Sequence, residues 1–140
     1  AGPSGVVAGP DVALVEAAIL KWATPQCITP NVVSATAVSV PVSYQLWIYA
    51  GANKTSAEIQ ADIAAALAAM FARRPIGGDI ISPATTGKLY KSLIESTIRE
   101  VFPEAFRVAV SLPATDVDLT NTQVAVLGAV TPTITIEVDP

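Results

Sequence analysis

The sequence predicts an α+β domain, a two-layer sandwich in which a pair of helices covers one face of a mainly antiparallel sheet. Three observations predict it. Between Val38 and Ala50 every even position is apolar (Val38, Val40, Val42, Tyr44, Leu46, Ile48, Ala50), which places these side chains on one side of a pleated strand. The next segment, Ser56 to Arg74, carries Ile59, Ile63, Leu67, Met70 and Phe71 at helical spacing, with Glu58, Gln60 and Asp62 turned toward water. A second helical stripe, Tyr90, Ile94, Ile98 and Val101, is followed by two further alternating stretches. A strand apolar on one face has to be covered, and two amphipathic helices supply the cover.

The elements follow in order. Residues 1–10 hold three Gly and two Pro without periodicity and are expected to form a flexible lead-in or linker, leaving 11–140 as a single domain. Asp11 is placed to cap a short helix with Val15, Ile19 and Trp22 on one side, and Trp22 is expected to anchor it to the main body. Thr24 to Asn31 is an irregular connection with two prolines, Val32 to Ala35 reads as a brief strand, and Thr36-Ala37 as a turn into the central strand. Pro41 lacks an amide hydrogen and belongs at an edge, or where that amide would face no neighbour.

Thr55-Ser56-Ala57-Glu58 is a capping-box pattern at the start of the Ala-rich helix; Arg73 and Arg74 suit its negative end, and Pro75 stops it. Gly77-Gly78 reads as a turn needing positive φ, since its surroundings match neither a phosphate loop nor a dinucleotide fingerprint. Ser82-Pro83 resembles a helix start, although Gly87 favours regular helix from about Thr86 to the residue before Pro103. Phe106, Val108, Val110 and Leu112 then alternate as a half-buried strand. Pro113 to Thr122 is a polar loop, Gln123 to Leu127 an apolar piece of undecided type, and Ala129 to Val138 the last strand, with Pro132 favouring an edge near its start. Two consecutive helices between strands make the flanking strands antiparallel, and the last two strands are expected to pair as an antiparallel ribbon.

Composition narrows the function. Hydrophobic residues make up 51% of the 140 and charged residues 14%, well under the roughly 25% of an average soluble protein. So little charge points to a surface that works against other subunits, though a neutral skin of Ala, Thr, Ser and Gly is the simpler alternative. A net charge of −4 with scattered Lys and Arg argues against nucleic-acid binding. No apolar run reaches the ~18 residues that cross a bilayer, and no membrane partner is expected. The chain does not open with Met and fits a piece of a longer protein.

Catalytic chemistry is sparse. There is no His and only one Cys, Cys27, so neither a disulfide within the chain nor a His-activated nucleophile can be built. No catalytic, cofactor-binding or metal residues are assigned. Asp116 and Asp118, two apart in the polar loop, suggest a weak calcium pair, but the Gly and terminal Glu of a calcium-binding loop are missing, and a solvated loop is the plainer reading. Lys88, Lys91, Glu95 and Arg99 fit exposed helix positions. The odd-numbered face of the central strand is more informative: Trp47 and Tyr49 project from it, with Thr133 and Thr135 of the last strand beside them. Large aromatics on a face that the chain does not cover are typical interface anchors, unless the N-terminal helix folds under and buries them. Trp47, Tyr49, Thr133 and Thr135 are therefore the candidate partner interface.

The runs VSVPVSYQLWIYAGANKTSAEIQADIAAALAAMF, PIGGDIISPATTGKLYKSLIESTIREVFPEAFRVAVSLPATDV and VAVLGAVTPTITIEV, in this order, resemble the C-terminal part of the baseplate J-like proteins of contractile-tailed, Mu-like phages and prophages. The shared features are an alternating strand, an Ala-rich helix, an Ile-Gly-Gly turn, a second helix, a strand into a Pro-Ala/Thr-Asp loop, and a Thr-rich closing strand. The chain departs from the pattern at Phe102-Pro103-Glu104-Ala105-Phe106, two residues longer than the usual Pro-Gly-Val-like turn. The resemblance implies a virion structural protein, without enzymatic activity or cofactor, assembled in a bacterial host cytoplasm into the wedges of a tail baseplate. Its partners would be other wedge proteins, with self-association as a further option. A small-ligand-binding or regulatory α+β module is the alternative, with its pocket near Ile76 to Ile81.

Overall fold

The computed structural model describes residues 9–22, 31–51, 53–82 and 86–137. In chain order these form α1 (Gly9–Trp22), β1 (Thr36–Tyr49), α2 (Ser56–Ala72), β2 (Gly87–Leu89), α3 (Lys91–Val101), β3 (Arg107–Leu112), β4 (Val117–Leu119) and β5 (Gln123–Glu137). The architecture is α+β: a three-stranded sheet ordered β3-β1-β5, a two-stranded ribbon of β2 and β4, and helices α2 and α3 packed on the sheet.

The alternation in β1 becomes an inside and an outside. Val40, Val42, Tyr44, Leu46 and Ile48 are buried together with Ile59, Ile63, Leu67, Met70 and Phe71 of α2 and with Ile94 and Ile98 of α3. Each fully buried side chain of this kind contributes about 1.5–3 kcal/mol of hydrophobic stabilisation. This cluster fixes β1 in register, because a one-residue slip would turn the whole set to water.

The capping box at the start of α2 is present in full. The Thr55 hydroxyl accepts from the Glu58 amide, and the Thr55 amide donates back to the Glu58 carboxylate at 2.8 Å. The Thr55 amide first, and then the Thr55 hydroxyl, which donates to the same carboxylate at 2.8 Å, hold the Glu58 carboxyl below its ordinary range. Gly77 and Gly78 adopt positive φ, +86° and +71°, as the turn reading requires. After them Asp79 and Lys88 exchange backbone hydrogen bonds of 2.9 and 3.1 Å, while the Arg74 guanidinium reaches the Asp79 carboxylate at 3.1 Å. A side chain on Gly87 would collide with the Gly77 carbonyl, so Gly87 serves close backbone approach and not a delayed helix start.

Several expectations need correction. Residues 31–35 are not a strand, and β1 begins at Thr36, so Thr36-Ala37 is no turn. The second helix begins at Lys91, because Gly87–Leu89 is drawn into the ribbon with β4; Lys88 therefore lies on a strand and pairs with Asp118 at 2.7 Å. The loop from Pro113 to Thr122 is correspondingly not all loop. The first helix starts at Gly9, ahead of Asp11, and buries none of its residues; Trp22 is 80% exposed and anchors nothing here. Most of the lead-in, Cys27 and the Pro83 helix start lie outside the described residues.

The two strands expected to form the closing ribbon, now β3 and β5, do not pair with each other. β1 lies between them, antiparallel to β3, as expected of strands flanking a pair of helices, and parallel to β5. β5 has fifteen residues and β3 only six, so a full-length ladder for β5 exists only against β1, which has fourteen. The ten residues 113–122 are long enough to carry the chain across.

Two bulges explain the breaks in alternation. Val40 pairs with Leu127 and Val42 with Val130, so Gly128 and Ala129 together oppose Pro41. The missing Pro41 amide falls at this irregularity and beyond the stretch paired with β3, which is how proline sits in a central strand. Gly128 suits the bulge, since a Cβ would lie 2.7 Å from the Ser39 hydroxyl and 3.0 Å from the Val40 carbonyl oxygen. Before the bulge Ala125 and Leu127 share the helix side; after it the even residues do, and β5 is one continuous strand across both. The second bulge, at Ser111, brings Leu112 opposite Ser43 on the odd-numbered face, where it is 45% exposed.

Candidate partner-binding face

The sheet face opposite α2 and α3 collects the candidate residues. β1 contributes Ser43, Gln45, Trp47 and Tyr49; the register sets Thr133 beside Gln45, Thr135 beside Trp47 and Glu137 beside Tyr49, with Arg107 of β3 on the other side of Trp47. All four candidates therefore share one surface: Thr135 touches the Trp47 row directly, Thr133 lies one pair further along, and Tyr49 stands at the end. The surface is half-open, with Trp47 and Thr135 partly buried and Tyr49 and Thr133 exposed.

Local contacts hold these side chains in place. The Arg107 guanidinium lies 4.5 Å from the centre of the Trp47 ring, a cation–π geometry. Tyr49 packs on Phe106 with ring centres 4.6 Å apart, and the Gln45 amide donates to the Thr135 hydroxyl at 3.1 Å. Phe106, expected on the core face, is 41% exposed, because β3 starts only at Arg107 and the bend before it turns the ring outward. Sequence reading missed Phe106, Arg107 and Gln45 as members of the face. Arg107 and Gln45 were legible, being odd positions on alternating strands; Phe106 was not, since its alternation pointed the other way.

The N-terminal helix does not cover this surface: none of its residues is buried, and Tyr49 remains 56% exposed. What the surface offers is a patch of aromatic rings bordered by neutral hydroxyl and amide groups, with Arg107 and Glu137 as its charges. Such a patch suits burial against a protein, since rings pre-positioned by stacking lose little freedom on docking.

The acidic pair is otherwise engaged. Asp116 accepts the Lys91 backbone amide at 2.9 Å and so caps α3, whose preceding residue Tyr90 gives no side-chain cap, while Asp118 holds Lys88. The Asp118 hydrogen bond raises the Lys88 ammonium above its ordinary value. Near Ile76 to Ile81 the surface carries an open groove of about 530 Å³, lined by Asp79, Ile81, Tyr90, Ser92, Leu93 and Ser96. No group of three or more metal-ligating side chains converges among the described residues. The chain matches no protein-family model and no curated protein.

Proposed function

We infer that the chain is a structural part of a contractile-tail baseplate, a wedge-assembly domain of the baseplate J-like kind that acts by packing against other wedge proteins and performs no catalysis. The observation that carries this reading is the open sheet face on which Trp47, Tyr49 and Phe106 stand among neutral Thr133, Thr135 and Gln45. It accords with a chain of 14% charged residues, whose surface gains from being buried. The order of strand, Ala-rich helix, glycine turn, helix and Thr-rich closing strand supports the family assignment.

The test is made in the phage or prophage that encodes the chain. Intact tails are purified and their baseplates analysed for this protein, with wild type compared to the Trp47→Ala/Tyr49→Ala double variant. The expected result is wild-type protein in the baseplate and at least about a thirtyfold loss of incorporation for the variant, the effect of removing central interface aromatics. Tails that lack the protein, or that incorporate the variant equally well, would overturn the reading.

A further inference from the structure

Strand β5 is the edge at which the sandwich is unfinished. Ile48 and Ile136 are register partners on the helix side of the sheet, yet Ile48 is 3% exposed and Ile136 54%. Val130, Pro132 and Ile134 of the same row are only half-buried, although α2 packs against β5. Past the bulge the backbone of β5 is open along the same edge, whereas at its start the Gln123 carbonyl accepts the Gly77 amide. Thr36 donates to the Thr122 carbonyl and Ala50 to that of Glu137, so inward-facing positions are even before the Gly128–Ala129 bulge and odd after it. Ile134 and Ile136 therefore aim their N–H and C=O groups away from β1, and among the described residues they meet no backbone partner. Pro132 also faces outward, which lets this strand hold a proline without breaking its ladder to β1.

We propose that this edge is completed by a second copy of the chain, β5 against β5, antiparallel about a two-fold axis through Thr135. A continuous six-stranded sheet results, with both copies of α2 on the same side. Ile134 of one copy faces Ile136 of the other, and each such pair exchanges its two backbone hydrogen bonds. Four isoleucines then close over one another on the helix side, covering the row that the single chain leaves open.

Charge identifies the occupant as a copy of the same strand. From Gln123 through Ile136 there is no charged residue, so the strand meets itself without like-charge repulsion and lacks the lysines that natural edges use to prevent pairing. The register follows from the same residues. Centring on Thr133 would set Pro132 into the new ladder, and centring on Glu137 would set two carboxylates side by side. Thr135 as the centre does neither, leaving each Glu137 opposite Thr133 and Pro132 at the end of the seam. This edge shares Thr133, Thr135 and Glu137 with the aromatic face, but the pairing uses their backbone and leaves the side chains of that face uncovered.

The experiment uses the full chain. Sedimentation equilibrium is expected to show a dimer for wild type and at least about a thirtyfold weaker dimer for Ile136→Lys, with an unchanged circular dichroism spectrum because position 136 is already exposed. In a Cys27→Ser background, Thr135→Cys is expected to form an interchain disulfide on mild oxidation, since the non-hydrogen-bonded pair at the axis brings the two β-carbons close. Thr131→Cys, beyond Pro132 on the same face, is expected not to. A monomeric wild type, a dimer indifferent to Ile136→Lys, or equal cross-linking at 131 and 135 would each overturn the proposal. So would a monomer whose edge binds an extended peptide from another protein.

Discussion

Arg107 and Trp47 face each other across the β3–β1 ladder, and the guanidinium rests over the indole at 4.5 Å. The contact orders a large ring on a face that no helix among the described residues covers. Its neighbour in the chain, Leu46, points the other way and is fully buried between sheet and helices. A single peptide unit therefore separates the residue on which folding depends from the one on which partner binding is proposed to depend.

That division predicts two different outcomes from adjacent truncations. Leu46→Ala leaves a cavity in the core and is expected to cost about 2–5 kcal/mol. Trp47→Ala removes a partly exposed ring with its cation–π contact and is expected to cost about 1 kcal/mol. Urea denaturation of the two variants measures both; equal losses would show that Trp47 carries core packing as well.

Tyr44 presents the opposite imbalance. Its ring is 1% exposed and its hydroxyl has no hydrogen-bond partner. Tyr44→Phe removes an unpaired polar group from the core, so stability is expected to stay level or rise by about 1 kcal/mol. Burial also pushes the Tyr44 phenol from 10.0 up to about 12. With the folded value the higher one, the unfolded chain releases this proton first as pH rises. The contribution to stability is whole below pH 10 and is lost between there and about 12, amounting to about 2–3 kcal/mol. Wild type is expected to lose stability relative to Tyr44→Phe across that window in denaturant titrations at a series of pH values; parallel curves would refute the assignment.

Two glycines separate backbone strain from collision. Gly51 has a φ of +111° with nothing near the position of a Cβ, so Gly51→Ala meets only conformational strain, about 1–3 kcal/mol. At Gly87 a Cβ would overlap the Gly77 carbonyl oxygen, and the ribbon of β2 and β4 has to part. Gly87→Ala is expected to cost more than about 4 kcal/mol and to lower thermal stability far more than Gly51→Ala. Comparable melting temperatures for the two would contradict the close approach.

The sequence by itself determined the α+β class, the even-sided core of β1, the stripe of α2, its capping box, the positive-φ glycine turn and the antiparallel relation of β1 to β3. All but the last rest on interactions within a few residues or on a periodicity that one segment carries alone; the last follows from the pair of helices between the two strands. It also brought Trp47, Tyr49, Thr133 and Thr135 to one face, because period-two alternation survives wherever the ladder is regular. Tertiary structure alone decided that β5 lies beside β1, that Gly87–Leu89 is strand and not helix, that Phe106 and Leu112 turn outward, and that Asp116 caps a helix 25 residues back along the chain. Those outcomes depend on contacts between segments far apart in the chain: on which strand offers a ladder of matching length, and on bulges that reverse the inside–outside parity, as Gly128–Ala129 does opposite Pro41. Neither is visible until the partner strand is in place, because a bulge is a property of two strands and a sequence shows one at a time.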